Sequence, residues 1–148
     1  MTLQSQVYTT TAPGVPGSKA DMNIFDYHPN TLTAEVDVTV GTFVARGTDP
    51  AAQAKYGASP IGLVERNMVY PNYIVTEEGS EIVAAGETLT VATKGAFWVK
   101  TADAVTAGMA VQASDTDGTV SGAAGTAVPG WTFETAGDAG AIVLIKRS

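Results

Sequence analysis

The chain has 148 residues, no cysteine and an excess of acid, with 15 Asp plus Glu against 8 Lys plus Arg and a net charge of −7. This length suits one domain whose core needs no covalent support, and the absence of thiols excludes disulfides, thiolate metal sites and cysteine nucleophiles. Because negative charge repels nucleic acid and no apolar run reaches the roughly 20 residues that span a bilayer, we expect neither nucleic acid nor membrane as a partner.

The composition favours strands over helices. Charged residues make up only 16% of the chain, while 16 glycines and 7 prolines interrupt segments rich in valine and threonine. Valine and threonine suit a pleated sheet, and frequent glycine and proline indicate short elements joined by turns. The sequence therefore predicts an all-β fold, a small β-barrel or β-sandwich, with at most one short helix.

Residues 1–34 are predicted to form an extended N-terminal arm ahead of a β-rich core domain at residues 35–148. Residues 1–6 lack the basic and apolar regions of a signal peptide, so none is expected. The prolines and glycines of residues 13–17 hold the backbone extended or turning. The flanking segments are too apolar to stay in water, which predicts docking on this domain or on a neighbouring protein. The side chains expected to bind there are Tyr8, Pro13, Val15, Ile24, Phe25 and Tyr27.

Strand-like segments follow the arm in quick succession. They are residues 34–40, 42–46, 61–66, 67–75, 80–93 and 96–100. Residues 34–40 alternate polar and apolar side chains, which is typical of one half-buried strand. Residues 67–75 are interrupted by Pro71, so we expect an edge or bulged strand. The one helix candidate begins with Asp49 as N-cap and Pro50 in the first turn, and ends at Gly57.

The loop around Pro71 supplies a second candidate contact for a partner protein. Tyr70, Pro71 and Tyr73 are the side chains expected to bind there. Packing of these residues, and of the arm, against the chain's own domain is the open alternative. The two tryptophans, Trp98 and Trp131, lie within strand patterns and are expected in the core.

The C-terminal third predicts a hairpin and a central strand. Residues 110–121 indicate a hairpin that turns at Asp117-Gly118, a common turn pair. Residues 141–146 are apolar at consecutive positions, so both faces of this last strand should be covered and the strand should lie centrally in its sheet.

Candidate catalytic and metal-binding residues are few. His28 is the only histidine and lies in the proline-rich arm, a poor position for a general base. Asp115 and Asp117 open a calcium-loop pattern whose closing ligands are missing, so a turn is the better interpretation. The acidic pair Glu77 and Glu78 is best explained as solvated loop charge. We therefore predict no catalytic residues, no metal site and no cofactor.

The order of these segments resembles the capsid cement (decoration) proteins of tailed bacteriophages. The likeness extends over residues 12–147 and rests on a recurring pattern of glycine, valine and threonine. The segments that carry it are residues 42–44, 61–66, 82–91, 95–100, 107–111, 130–133 and 141–145.

The resemblance implies a non-enzymatic module on the outer surface of a virion assembled in bacterial cytoplasm. Such a module bridges neighbouring subunits of the major capsid protein as a homo-oligomer, with a trimer favoured and a dimer as the alternative. Two other functions stay open at this point. One is a phage tail or receptor-binding β module, and the other is an enzyme on a small β scaffold, such as a nucleotide hydrolase or a glycan-cleaving domain.

Overall fold

The computed structural model describes residues 14–20, 25–66, 73–75 and 81–148, and within them it contains fourteen β-strands and no helix. The strands are β1 (Asp26–Tyr27), β2 (Leu32–Ala34), β3 (Val38–Thr39), β4 (Phe43–Arg46), β5 (Gln53–Lys55), β6 (Pro60–Val64), β7 (Tyr73–Val75), β8 (Glu81–Val83), β9 (Thr88–Leu89), β10 (Val91–Lys100), β11 (Ala110–Ala113), β12 (Val120–Ser121), β13 (Thr126–Phe133) and β14 (Ile142–Arg147). The predicted all-β class is confirmed.

The strands form one large sheet and one small sheet. The large sheet has the order β12-β11-β13-β14-β10-β6-β4-β5-β2-β9, with β1 also paired to β10, and the small sheet has the order β3-β8-β7. The strand pairs are antiparallel except for β2 with β5. The large sheet does not close on itself, so of the two predicted architectures the sandwich is the one that the fold approaches. The strand around Tyr73 lies at an edge of the small sheet, as Pro71 predicted.

The ten-residue strand β10 joins the two halves of the large sheet. Its first residues, Val91 and Ala92, pair with β6, and its remainder from Gly95 to Lys100 pairs with β14. Gly95 lies where β10 changes from one partner strand to the other. Its φ is 128°, a value that residues with a Cβ atom rarely adopt. Because β10 changes partner part-way along its length, it belongs to both halves of the large sheet.

Two apolar cores lie against the large sheet. The first core consists of Phe43, Leu63, Ala92, Phe97, Val99, Val105, Val111, Ala113, Val120, Val128, Trp131, Phe133, Val143 and Ile145. The second core consists of Leu32, Ala34, Val38, Val40, Val44, Ala54, Val64, Val83, Leu89 and Val91. Successive residues of β4 and β6 enter different cores, because side chains alternate across a strand. These two strands are therefore covered on both faces.

The last strand, β14, lies between β13 and β10, so its predicted central position in the sheet is confirmed. Its coverage is unequal on the two faces. Val143 and Ile145 are fully buried in the first core, whereas Ile142 and Leu144 on the other face are half-buried. The described part of the chain therefore covers one apolar face of β14 completely and the other only in part.

The predicted helix from Asp49 to Gly57 is wrong, and the segment contains β5 instead. The predicted N-cap at Asp49 does begin a single turn, in which the carbonyl of Asp49 accepts hydrogen bonds from the amides of Ala52 and Gln53 at 3.2 and 2.9 Å. The helix does not continue because Gln53 and the two residues after it are hydrogen-bonded into the sheet between β2 and β4. Sheet pairing thus overrides a short helix with little apolar surface.

The single strand predicted over residues 34–40 is also wrong, since a bend separates β2 from β3 and leaves Val36 exposed. Two carboxylates stabilise the bend. Glu35 accepts hydrogen bonds from the amide and hydroxyl of Thr48, and Asp37 accepts one from the Ala85 amide. Strands β1 and β2 join the large sheet, and the boundary between residues 34 and 35 stays a prediction.

Candidate functional site

The first described part of the predicted arm, residues 14–20, runs antiparallel along β10. We call residues 14–20 the strap. Within it the Gly17 amide donates to the Trp98 carbonyl at 2.7 Å, the Trp98 amide donates to the Ser18 carbonyl at 3.0 Å, and the Ala20 amide donates to the Ala96 carbonyl at 2.9 Å. Strand β1 continues the pairing along the same strand. Because β14 occupies the other side of β10, the strap covers what would otherwise be an open strand edge.

A tight turn shapes the strap at Val15–Ser18. Pro16 occupies its second position and Gly17 its third, with a φ of 81°, the arrangement that a type II turn requires. The amide and hydroxyl of Ser18 both donate to the Val15 carbonyl, at 3.1 and 2.6 Å. Pro16 and Gly17, which led us to predict no regular strand or helix here, therefore form a defined turn.

The strap turn is pressed closely against the body of the domain. A Cβ placed on Gly41 would lie 2.9 Å from the Gly17 nitrogen, and one placed on Gly17 would lie 2.4 Å from a methyl group of Val40. Arg66 holds the turn from the other side, with its amide donating to the Gly17 carbonyl at 2.8 Å and its Nε to the Pro16 carbonyl at 3.2 Å. Both glycines are required because the two backbones meet.

Lys19 ties the strap to β1 and to the end of β6. Its Nζ lies 3.3 Å from the buried carboxylate of Glu65 and 4.8 and 5.6 Å from the ring centroids of Phe25 and Tyr27. A hydrogen bond with the Tyr27 hydroxyl raises the pKa of Lys19, with a smaller contribution from the charge of Glu65. Burial of its hydroxyl raises the pKa of Tyr27. Lys19, Glu65 and the Tyr27 hydroxyl therefore form one polar cluster, and the Phe25 and Tyr27 rings lie next to the Lys19 ammonium group.

Alkaline pH is expected to loosen this cluster. Lys19 and Tyr27 both hold their protons to higher pH when folded, so their contribution is full below the ordinary values of 10.5 and 10.0 and is lost as pH rises through the folded values. Thermal unfolding followed by circular dichroism from about pH 9 to 12 measures the loss. The double variant Lys19→Met/Tyr27→Phe should show a shallower alkaline decline, and an unchanged decline would contradict the assignment.

The structure locates three of the predicted binding side chains in full. Val15 is 48% exposed and Tyr27 is 39% exposed, as a contact for a partner requires. Phe25 is half-buried, and its ring packs edge-on against Phe97 with centroids 5.4 Å apart. The rings of Tyr27 and Phe25 both lie close to the Lys19 ammonium group, whereas Val15 lies in the strap turn next to Gly14.

Of the remaining predicted residues, only Tyr73 lies within the described part of the chain. For Tyr73 the structure gives the backbone in β7. The others, Tyr8, Pro13, Ile24, Tyr70 and Pro71, lie outside the described residues.

Sequence reasoning missed the position of Trp98. Trp131 is buried in the first core as expected, but Trp98 is half-buried on the opposite face of the sheet, where it pairs across β10 and β14 with Leu144. The backbone of Gly14 lies against the indole, because a Cβ there would come within 2.5 Å of the ring. The alternation Phe97, Trp98, Val99 was the available signal, since neighbouring residues of a strand cannot face the same core.

A cleft of about 410 Å³ lies where the first turn of the strap approaches the loops beyond β10. Its polar lining includes Thr39, Thr42, Lys100, Asp117 and Thr119. Hydrogen bonding from Thr119 lowers the pKa of Asp117. The carboxylate thereby holds the turn before β12, which agrees with the predicted turn rather than a calcium loop. The lining offers hydrogen-bonding groups and contains no histidine.

The described residues give little support for a metal site or for an active site built on His28. They contain no group of three or more histidine, aspartate or glutamate side chains placed to hold a metal ion. The His28 ring bonds to the backbone of Asn30 two residues on. No helix long and apolar enough to cross a membrane occurs in the part of the chain that the structure describes.

Comparisons with known proteins identify one family. A family described as "Structural cement protein (E217 gp24/Pam3 gp6)" matches residues 3–147. Among solved structures, a chain from "The capsid of Myoviridae Phage XM1" superposes with a TM-score of 0.65 at 15% identity, covering 99% of this chain and 97% of that one. At this identity the likeness establishes a shared fold. No curated protein sequence matches the chain.

Proposed function

The chain belongs to the phage structural cement protein family, and from that membership we propose that it binds the outer surface of the capsid and bridges neighbouring subunits of the major capsid protein. The protein is a non-enzymatic structural component of the virion capsid. The observation that carries the proposal is the family match over residues 3–147, nearly the whole chain.

The charge of the chain supports an outer position. A net charge of −7 is unfavourable beside packaged DNA, whose phosphates repel carboxylates. The arginines that would neutralise phosphate number three, Arg46, Arg66 and Arg147. All three are engaged with backbone carbonyls of this chain: Arg46 with Pro50, Arg66 with Pro16 and Arg147 with Thr93.

Oligomers would strengthen the binding of a cement protein. We propose a homo-oligomer, with a trimer favoured over a dimer, because linked copies contact several capsid subunits at once. Linking weak contacts raises the overall affinity without any new contact. The proposed contact residues in the described part of the chain are Val15 and Tyr27, and Phe25 supports them from within the domain. Tyr8, Pro13, Ile24, Tyr70, Pro71 and Tyr73 complete the proposed set.

Adding the protein to capsids assembled without it should raise the temperature at which the shell dissociates. A ligand that binds only the native shell stabilises it by about 2.7 kcal/mol per site at a free concentration one hundred times its Kd. Differential scanning calorimetry of bare and decorated capsids measures the shift, with bovine serum albumin at equal concentration as control. An unchanged melting temperature, together with binding to host cells or glycans, would instead favour a receptor-binding module.

A further inference from the structure

We propose that the strap opens and closes on β10 as a single unit while both cores stay folded, and that the Lys19–Glu65 ion pair stabilises its closed state. The strap thereby controls whether one edge of β10 is open to pairing. The inference does not depend on the proposed binding to capsids, since it concerns contacts within the chain alone.

The strap contributes little apolar burial to the fold. None of residues 14–20 belongs to either core. Gly17, which has no side chain, is the one buried residue of the strap, while Val15 and Lys19 are exposed. Segments with few buried apolar contacts open at a lower free energy than the cores beneath them. Opening the strap therefore costs less than unfolding the domain.

Backbone hydrogen bonds and one ion pair hold the strap closed. Three hydrogen bonds of 2.7, 2.9 and 3.0 Å join it to β10, and the Arg66 amide donates a fourth to the Gly17 carbonyl at 2.8 Å. The Lys19 Nζ lies 3.3 Å from the carboxylate of Glu65, whose side chain is 10% exposed. Since solvent reaches this carboxylate poorly, the closed strap supplies a cation where water screens the charge little. The bonds form one ladder along β10, so we expect them to break together.

The opening unit ends before β1. Phe25, which directly precedes β1, packs edge-on against the fully buried Phe97 with centroids 5.4 Å apart. Its ring fits closely over Gly95, where a Cβ would lie 2.2 Å from it. This contact attaches β1 to the first core, and the strap has no equivalent of it. The strap can therefore open while β1 remains paired.

Opening changes the state of one strand edge. The amide and carbonyl of Trp98 and the carbonyl of Ala96 are bonded to the strap when it is closed, and they lose these partners when it opens. On its other side β10 stays paired with β14. An open strand edge can pair with a strand of another chain. The closed strap therefore protects β10 from such pairing.

Native-state hydrogen exchange followed by NMR tests whether the strap opens as a unit. Four amides bond across the boundary between the strap and the domain, and we call them the boundary amides: those of Gly17, Ala20, Trp98 and Arg66. They should share one opening constant. It should be at least about tenfold larger than the constant of the Glu65 amide, which donates to Thr90 within the domain. Because Glu65 and Arg66 are neighbours in sequence, this comparison isolates the strap.

Lys19→Met tests the role of the ion pair. The variant should raise the opening constants of all boundary amides together by about tenfold, because a bond between charged groups is lost. The Phe133 amide, which bonds to Met109 far from the strap, should exchange as in the wild type. Lys94→Met is the matched control, since it removes the ion pair between β10 and Asp26 outside the strap. It should leave the boundary amides unchanged, and circular dichroism checks that both variants are folded.

The outcomes separate the two parts of the proposal. Equal opening constants for the boundary amides and Phe133 would mean that the strap opens only when the domain unfolds, and the proposal would be wrong. Four unrelated constants would also overturn it, because they indicate fraying of single bonds. Equal effects of Lys19→Met and Lys94→Met would overturn the role of the ion pair. The first two comparisons use the wild type alone, so they decide the opening of the strap even if Lys19→Met is unfolded.

Discussion

Trp131→Ala is expected to lower the free energy of unfolding by about 3–5 kcal/mol, the largest loss of any single change in the first core. Trp131 is 2% exposed. Its indole packs edge-on against Phe43 with centroids 5.4 Å apart and lies 6.2 Å from Phe97. Truncation removes these ring contacts and leaves a cavity between β13 and β4, which a close-packed core fills only in part.

Chemical denaturation followed by far-UV circular dichroism measures this effect through the midpoint concentration. Trp98→Ala is the internal control, because the same residue type is replaced at a half-buried position outside the first core. Its loss should be clearly smaller than that of Trp131→Ala. Equal losses for the two variants would mean that the first core does not dominate stability in the way that the burial of Trp131 indicates.

Gly118→Ala is expected to destabilise the chain through two separate effects. Gly118 has a φ of 66°, where a side chain costs about 1–3 kcal/mol. The new methyl group would lie 2.2 Å from the Phe43 carbonyl oxygen and 2.7 Å from the Tyr56 ring, which adds roughly 1–3 kcal/mol of steric cost. Tyr56 cannot easily yield, because its hydroxyl accepts a hydrogen bond from the Thr39 amide at 2.9 Å.

Gly108→Ala separates the two effects. Gly108 has a φ of 91°, and a Cβ there meets no atom within 4 Å, so this variant carries the backbone strain without the collision. Thermal and urea unfolding of both variants should rank Gly118→Ala as the less stable by the steric contribution. Equal stability would show that the loop before β12 can move away from β4 without cost.

The surroundings of the proposed contact residues could be predicted only in part. The apolar character of Val15 and Tyr27 in a segment rich in proline and glycine indicated side chains available to a partner, and both are exposed. The same reasoning could not find the Lys19–Glu65 ion pair, because it joins the strap to the residue that follows β6, far along the chain. Only the strand order brings these two residues together.

Trp98 marks the limit of reading a strand from its composition. An apolar run such as residues 96–99 identifies a strand, but it does not say which residues meet a core when only one face is fully covered. Trp98 and Phe97 are neighbours in sequence and lie on opposite faces of β10, one half-buried and the other fully buried. Their burial differs because the first core covers only the face that carries Phe97, and which face is covered is decided by the tertiary structure.

Local sequence was enough to predict the all-β class, the central position of the last strand, the hairpin over residues 110–121 and the family resemblance. These depend on local composition and alternation, which are properties of short segments. Only the tertiary structure could show that residues 53–55 form a strand, that β10 changes partner near Gly95 and joins both halves of the sheet, and that the strap lies along β10. Each of these depends on hydrogen bonds and packing between distant segments, which outweigh the weak preferences of a short stretch of chain.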